Sequence, residues 1–411
     1  MDRRSLMWLV FMVLVVTTAV YLVVMEDELV SLPPRILGSA GALAEGSSGA
    51  TGEAMKPTKL CILKTDLVLI YIPAGGSAVV QSILLRFGYL NDLFVTLPIR
   101  PGNPSIPQDL RSGDIRRQDV LQPPAVFSRE LTRNILAHQV RYNRDALHKI
   151  VKRNAQYVTI LRNPLDRFET DFVSSHLEMQ FDVEQRPNPP PLQRYLSAPE
   201  FWEKRRMRVN YRCTTNCMAE ALGIPVRGRG MGVFPGLGPG GKAVIDYIDA
   251  LESEFALVLI YERLNQSLVL LKRHMCWTIR DILYDVGFKE PPANQRDVRD
   301  ESKKLQFRRV NGADHLLYYH FYDIFRAKVA AEGEDFKREV RHYERVLDKV
   351  SRYCSSAIDD WKVANQTVVW ESEWDEEFVV TRRMCWEIRR KRDDWDKLFR
   401  ERYSSRSQGN N

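Results

Sequence analysis

Three apolar runs of strand length most constrain the fold of this chain. They are LVLIYI at 67–72, YVTIL at 157–161 and FALVLIYE at 255–262, and each leads into a segment whose apolar residues recur at helical spacing. Apolar strands that alternate with helices are typical of a parallel sheet covered on both faces. The sequence therefore predicts an α/β fold with a central parallel sheet flanked by helices, and 411 residues are enough for one large domain or two smaller ones.

The N-terminus carries an apolar segment that is long enough to cross a bilayer. Residues 6–25 contain no charge, and Arg3 and Arg4 precede them. By the positive-inside rule, we expect a transmembrane signal anchor with a cytoplasmic tail at 1–5 and everything after the anchor in the lumen. A cleaved signal peptide is the alternative, but its apolar core is usually shorter and ends at a small-x-small site. Residues 26–58 are small, polar and glycine-rich, which predicts a lumenal stem.

The charge balance suits an acidic ligand but does not indicate nucleic acid. The net charge is +7 and the isoelectric point is near 9.0, yet the basic residues lie in short groups such as 204–206 and 389–392. Short groups of this kind are usually solvated helix faces, so we expect no nucleic-acid partner.

The cysteines and sequons fit a secretory location. All six cysteines follow the predicted anchor, and an even number in a lumenal domain is compatible with disulfides whose pairing the sequence leaves open. Cys213 and Cys217 are four residues apart, but no further Cys or His stands at zinc-binding spacing, so we expect no metal site. Asn265 and Asn365 each begin a glycosylation sequon.

The loops after the apolar runs are the candidate ligand site, because parallel α/β sheets bind ligands beyond the carboxyl ends of their strands. After the first run, Gly75 and Gly76 let the backbone approach an anion, and Ser77 offers a hydroxyl at the start of a helix. After the second run, Arg162 and Thr170 are placed to hold one phosphate from two sides. The pattern predicts a site for a phosphate-bearing ligand.

A rival anion loop is GLGPGGKA at 236–243. It is followed by a helical pattern, but Ala243 stands where a nucleotide-binding P-loop has Ser or Thr, and no convincing strand precedes it. A surface loop without a nucleotide is the favoured interpretation.

His138 is the candidate general base. It opens the polar and basic segment HQVRYN, and the near-neutral pKa of imidazole suits removal of a proton from a sugar hydroxyl. A lone histidine is more often structural than catalytic, so both interpretations remain open at this point.

Five segments resemble the galactose 3-O-sulfotransferase family. They are VQSILLRFG (80–88), HQVRYN (138–143), ILRNPLDRFETDF (160–172), ERLNQSLVLLKRHMCWTIRDILY (262–284) and DHLLYYHFYDIF (314–325). The most specific part is SLVLLKRHMCW. The resemblance implies a sulfotransferase domain at 59–355, followed by a C-terminal helical extension at 356–411.

The resemblance also implies a P-loop-like sulfotransferase fold, 3′-phosphoadenosine 5′-phosphosulfate as the sulfo donor and no metal. Under this interpretation the 5′-phosphosulfate lies at Gly75, Gly76 and Ser77. The 3′-phosphate lies at Arg162 and Thr170.

The implied reaction is sulfo transfer to the 3-hydroxyl of a terminal galactose, with His138 as the base. The acceptor would be a galactosylceramide-like glycolipid or a glycoprotein, and the enzyme would be held at the Golgi membrane by residues 6–25 as a single-pass type II protein. The sequence does not indicate an oligomeric state. YDIF and IDDW do not provide a D-x-D metal motif, so a lumenal glycosyltransferase finds no support from them.

Several positions depart from the family pattern, among them Gly75, Ala78 and Val79 in the first loop, where the family has threonine, serine and threonine. The family loop reads close to LKTHKTGSSTVQNIL, and alignment on Val80 and Gln81 places Ala74 at the family lysine. Asp171 stands where a second serine is common. The alternative function is therefore a catalytically weakened or inactive relative that binds a nucleotide or a glycan in the lumen.

Overall fold

The structure is a computed structural model that describes residues 61–102, 115–122, 133–180, 189–205, 213–226, 239–289, 300–360 and 362–408. The predicted tail, anchor and stem lie outside these residues. Within the ranges given, no helix is long and apolar enough to cross a membrane. The anchor at 6–25 therefore stays a prediction.

A five-stranded parallel sheet forms the centre of the domain. Its strands are β1 (Leu67–Ile70), β2 (Val95–Thr96), β3 (Ile135–Leu136), β4 (Gln156–Leu161) and β5 (Phe255–Ile260), in the spatial order β2-β3-β1-β4-β5. Every neighbouring pair is parallel. The central parallel sheet predicted from the sequence is confirmed. The three apolar runs form β1, β4 and β5.

Helices flank this sheet and make up most of the C-terminal third. Those in the described ranges are α1 (Ser77–Leu90), α2 (Arg144–Leu147), α3 (Pro164–Ser174), α4 (Pro191–Ser197), α5 (Pro199–Arg205), α6 (Cys217–Ala221), α7 (Pro239–Glu254), α8 (Leu264–Met275), α9 (Ile279–Ile282), α10 (Glu301–Val310), α11 (Gly312–Ala331), α12 (Gly333–Asp359), α13 (Arg382–Arg389) and α14 (Arg392–Gln408). An antiparallel hairpin, β6 (Gln366–Val369) and β7 (Phe378–Thr381), separates α12 from α13. Short 3-10 turns occupy Arg117–Asp119, Leu177–Gln180, Tyr261–Arg263 and Val286–Phe288.

The C-terminal helix α14 is built into the core of the sheet domain. Trp395, Phe399 and Tyr403 are buried in the same apolar cluster as β1 and α1. The Tyr403 hydroxyl accepts a hydrogen bond from the Val95 N–H at 2.9 Å, which ties the helix to β2. Truncating a buried aromatic side chain of this kind typically costs about 3–5 kcal/mol, so α14 is needed to hold the edge of the sheet in place.

Three disulfides pair all six cysteines. They join Cys61 to Cys276, Cys213 to Cys217, and Cys354 to Cys385. The first connects the segment before β1 to the end of α8, and the third connects α12 to α13. Disulfides persist in oxidising compartments, so this pairing is compatible with a secretory location.

The rival loop at 236–243 is partly helical. Helix α7 begins at Pro239, and residues 236–238 lie outside the described ranges. Val244, Ile248 and Leu251 are buried at helical spacing, and their packing explains why the helix extends over most of the glycine-rich segment.

Candidate functional site

The turn after β1 is shaped for a close approach of the backbone. The Ser77 hydroxyl accepts a hydrogen bond from the Ile72 N–H at 2.9 Å, and the Gly75 N–H donates to the Ile72 carbonyl at 3.1 Å. Ala74 and Gly76 both have left-handed backbone angles, with φ of 56° and 90°. Helix α1 starts immediately afterwards, so the first N–H groups of the helix point towards the turn.

The loops after β1, β4 and β5 meet at this turn. A Cβ atom on Gly76 would lie 2.1 Å from Cδ2 of Tyr261, so only glycine fits against that ring. The guanidinium carbon of Arg162 lies 4.8 Å from the centre of the same ring. Tyr261 thus packs against both the glycine turn and Arg162.

Two arginines supply the positive charge that the turn itself lacks. Nη1 of Arg162 donates to the Ala74 carbonyl, and Nη1 of Arg167 donates to the Pro73 carbonyl, each at 3.4 Å. Both side chains are buried. The sequence analysis identified Arg162 but missed Arg167. Arg167 follows Arg162 by five residues in the segment RNPLDR, and this spacing is the feature that could have identified it.

Thr170 and Asp171 lie one turn beyond Arg167 on α3. The Thr170 hydroxyl is buried and has no hydrogen-bond partner among the described residues. The Asp171 carboxylate accepts from Arg167 Nη1 at 3.5 Å and from the Ser175 hydroxyl at 2.8 Å. Because Arg167 offsets its charge, Asp171 is less unfavourable to a nearby anion than an isolated carboxylate would be.

The junction between β4 and α3 is held by a network of hydrogen bonds. The Asn163 side chain caps α3 by accepting from the Leu165 N–H at 3.0 Å, and its own backbone N–H donates to Glu262 at 2.7 Å. The Tyr318 hydroxyl donates to the other oxygen of Glu262 at 3.0 Å. Burial raises the pKa of Asp166 in the same helix turn, while Arg162 opposes that shift. These contacts hold the backbone after β4 in place and thereby fix the position of Arg162.

His138 follows β3 and is bound by the C-terminal helix. The imidazole is completely buried, and its Nε2 lies 3.0 Å from both carboxylate oxygens of Asp396 on α14. Since a carboxylate accepts the hydrogen bond, the proton is assigned to Nε2 and the lone pair to Nδ1. Nδ1 is buried with no hydrogen-bond partner among the described residues. Gln81 of α1 donates to the Ala137 carbonyl at 2.7 Å, which links this histidine to the helix after the glycine turn.

The segment SLVLLKRHMCW has a structural role. Lys272 Nζ lies 2.9 Å from Glu339 and 3.0 Å from Asp375, and these side chains are buried or nearly so. Burial lowers the pKa of His274 to about 4, and the neighbouring Lys64 contributes to the shift. Lys64 Nζ lies 3.4 Å from Nε2 of His274.

Metal-binding geometry is not found in the described ranges, where no group of three or more His, Cys, Asp or Glu residues could hold a metal ion.

Comparison with known proteins relates most of the chain to one family. The profile of the Galactose-3-O-sulfotransferase family matches residues 2–374. Bovine (Bos taurus) galactosylceramide sulfotransferase is 28% identical over 347 residues, which cover 79% of this chain and 74% of that protein. Human (Homo sapiens) galactosylceramide sulfotransferase is 26% identical over 339 residues with the same coverage. Bovine galactose-3-O-sulfotransferase 3 is 27% identical over 290 residues, or 67% of this chain and 60% of that protein.

The family profile covers both the glycine turn with its two arginines and His138, and it ends before α14. On this match, the chain belongs to the galactose-3-O-sulfotransferase family.

Proposed function

We propose that this protein is a Golgi sulfotransferase that moves a sulfo group from 3′-phosphoadenosine 5′-phosphosulfate to the 3-hydroxyl of a terminal galactose on a glycolipid or glycoprotein. The proposal rests mainly on one observation. Arg162 and Arg167 donate hydrogen bonds to the glycine turn, at the point where the carboxyl ends of the neighbouring strands β1 and β4 lie side by side. Two relatives are named galactosylceramide sulfotransferase, which favours a galactose-terminated acceptor.

The donor fits this arrangement because it carries phosphate at both ends of its nucleoside. The N–H groups at the start of α1 favour the 5′-phosphosulfate, since a helix N-terminus attracts an anion. Arg162 and the unpartnered hydroxyl of Thr170 would hold the 3′-phosphate. A buried hydroxyl without a partner is costly in the free protein, and an acceptor oxygen from a phosphate would satisfy it.

The transfer step needs a base and a positive environment. The galactose 3-oxygen attacks the sulfur, the bond between sulfur and the 5′-phosphate oxygen breaks, and the hydroxyl proton passes to Nδ1 of His138. Charge grows on the departing phosphate oxygen, so fixed cations beside the turn lower the barrier. Arg167, which donates to the Pro73 carbonyl of the turn, is the candidate for this charge, because Arg162 would bind the 3′-phosphate.

A second candidate function follows from Ala74. The family lysine is absent at this position, so a protein that binds the donor nucleotide or a glycan without efficient transfer is the alternative. Measured transfer of labelled sulfate onto a galactose-terminated acceptor separates the two functions.

Replacing Arg162 by alanine should weaken binding of 3′-phosphoadenosine 5′-phosphate by about 10- to 100-fold, because a hydrogen bond to a charged group contributes roughly 1.5–3 kcal/mol. Calorimetry on the purified full-length protein in detergent measures this change. Arg162→Lys should restore part of the affinity, because it keeps the charge but loses the paired geometry.

The matched control is Arg326→Ala, which removes the same charge from a side chain that is 69% exposed on α11. Wild-type protein that does not bind the nucleotide would contradict the proposed function. Equal affinity in Arg162→Ala and Arg326→Ala would remove only Arg162 from the phosphate site.

The proposed lumenal location predicts glycosylation at one of the two sequons. Asn365 is exposed in the loop before β6. Asn265 donates to Glu344 at 3.1 Å and accepts from Tyr284 at 3.2 Å, and Ser267 of the same sequon is fully buried. A glycan attached at Nδ2 of Asn265 would crowd the contact of this nitrogen with Glu344.

We therefore expect Asn365→Gln to remove one glycan and Asn265→Gln to leave the glycan mass unchanged. Mass spectrometry before and after enzymatic deglycosylation of protein from a secretory host measures both. An unglycosylated wild-type chain would argue against a lumenal domain.

A further inference from the structure

The pairing of β4 with β5 ends just before the candidate phosphate site. The last paired residues are Leu161 and Ile260. The next residues on the two strands are Arg162 and Tyr261, and the guanidinium carbon of Arg162 lies 4.8 Å from the centre of the Tyr261 ring. Among the described residues the ladder stops at this point, so other contacts must hold the backbone that carries Arg162.

The Glu262 side chain continues the pairing one residue further on. Its Oε1 accepts a hydrogen bond from the Asn163 N–H at 2.7 Å, and its Oε2 accepts one from the Tyr318 hydroxyl of α11 at 3.0 Å. Asn163 precedes Pro164, which confines the backbone of Asn163 to an extended conformation before α3 begins. The carboxylate thus fixes the direction in which the chain leaves β4, directly after Arg162.

Glu262 is carried by a turn that is itself fixed to the sheet. The turn is the 3-10 segment Tyr261–Arg263, between β5 and α8. The Ser267 hydroxyl of α8 accepts from the Ile260 N–H at 3.0 Å and donates to the Ile260 carbonyl at 2.9 Å, and Ser267 is fully buried. Because this buried hydroxyl is paired in both directions, α8 and the end of β5 hold the turn between them.

A carboxylate beside a phosphate site would normally oppose binding of the phosphate. Two features limit this repulsion at Glu262. The residue is exposed, so solvent screens its charge. Its two oxygens also accept hydrogen bonds from a backbone N–H and a phenol hydroxyl, and hydrogen bonds to a charged acceptor are stronger than those between neutral groups. Glu262 can therefore hold the backbone next to Arg162 with little loss of phosphate affinity.

We propose that Glu262 is a positioning residue for Arg162, and that it thereby sets the preference of the nucleotide site for ligands that carry a 3′-phosphate. This inference deepens the proposed function and rests on it, because Arg162 is the proposed contact of the 3′-phosphate. The paired hydrogen bonds of a guanidinium to a phosphate have a fixed geometry, so they depend on where the backbone places the side chain. Freeing the backbone at Asn163 should weaken this contact and leave the 5′-phosphate contacts at the glycine turn unchanged.

Two nucleotides that differ only in the 3′-phosphate test the inference, namely 3′-phosphoadenosine 5′-phosphate and adenosine 5′-phosphate. Calorimetry on the full-length protein in detergent gives the ratio of their affinities. We expect Glu262→Ala to lower this ratio by about tenfold, the equivalent of one hydrogen bond to a charged group, while the affinity for adenosine 5′-phosphate stays unchanged. Glu334→Ala is the matched control, because it removes a carboxylate that is 78% exposed on α12.

Glu262→Gln separates hydrogen bonding from charge. The amide oxygen can still accept from the Asn163 N–H, and the NH₂ group can donate to the Tyr318 oxygen, so the ratio should stay near the wild-type value. Tyr318→Phe removes one of the two bonds but keeps the buried ring, and it should lower the ratio by a smaller factor than Glu262→Ala. Adding Glu262→Ala to Arg162→Ala should lower the ratio no further, because both changes act on one contact.

An unchanged ratio in Glu262→Ala would overturn the inference, whether both nucleotides bind as in wild type or both bind equally more weakly. The second case would mean that Glu262 only stabilises the fold. A ratio in Glu262→Gln as low as in Glu262→Ala would also overturn it, because charge rather than hydrogen bonding would then be responsible. Wild-type protein that binds neither nucleotide contradicts the proposed function instead, so the two failures are distinguishable.

Discussion

Replacing His138 by glutamine should lower turnover by about 10²–10⁴-fold, the usual contribution of a positioned general base. The glutamine amide can still donate a hydrogen bond to Asp396, so the buried carboxylate keeps a partner, but an amide cannot accept the proton of the galactose hydroxyl. Affinity for 3′-phosphoadenosine 5′-phosphate should not change, because His138 is bound by Asp396 of α14, whereas the proposed nucleotide contacts are the turn after β1 and Arg162. Initial rates of labelled sulfate transfer and nucleotide calorimetry on the same sample measure the two quantities.

Comparing glutamine with alanine at this position separates catalysis from folding. His138→Ala leaves the Asp396 oxygens without their imidazole partner in a buried site, a loss that typically costs about 1–3 kcal/mol of stability. His138→Gln should therefore unfold at a higher temperature than His138→Ala, while both are equally poor in turnover. Wild-type turnover in His138→Gln would mean that the histidine is only a structural partner of Asp396.

The sequence predicts the centre of the sheet better than its edge. The runs at 67–72, 157–161 and 255–262 are long enough to form strands that are buried on both faces, and they become β1, β4 and β5. The strands β2 and β3 are only two residues long. A pair of residues shows no alternation, so periodicity cannot identify these strands, and they form because they pair beside β1 and pack against α14.

The candidate site, like the sheet, can be predicted from the sequence only in part. The glycine turn and Arg162 directly follow predicted strands, so the rule for strand ends locates them from sequence. Asp396 is 258 residues from His138 along the chain. The sequence of α14 indicates an amphipathic helix, but its periodicity does not specify which buried histidine its aspartate will contact. Only tertiary packing brings the two groups together.

Replacing Ala74 by lysine should raise turnover on the order of 10²–10³-fold, if the position corresponds to the family lysine. Electrostatic contacts of this kind contribute roughly 3–4 kcal/mol to the transition state. Ala74 already holds a left-handed φ of 56° with a Cβ atom, so a longer side chain adds little further backbone strain. The gain should appear in kcat more than in donor affinity, because charge on the departing oxygen develops only as the bond breaks.

Ala74→Met is the matched control, because it supplies a side chain of similar length without the charge and should leave kcat unchanged. The increase should also disappear when Ala74→Lys is combined with His138→Gln, since a better leaving group still requires a base. If Ala74→Lys binds the nucleotide normally but does not turn over faster, the positive charge at the turn is not limiting. In that case Arg167, which already donates to the Pro73 carbonyl of the turn, supplies the charge that the family places on lysine.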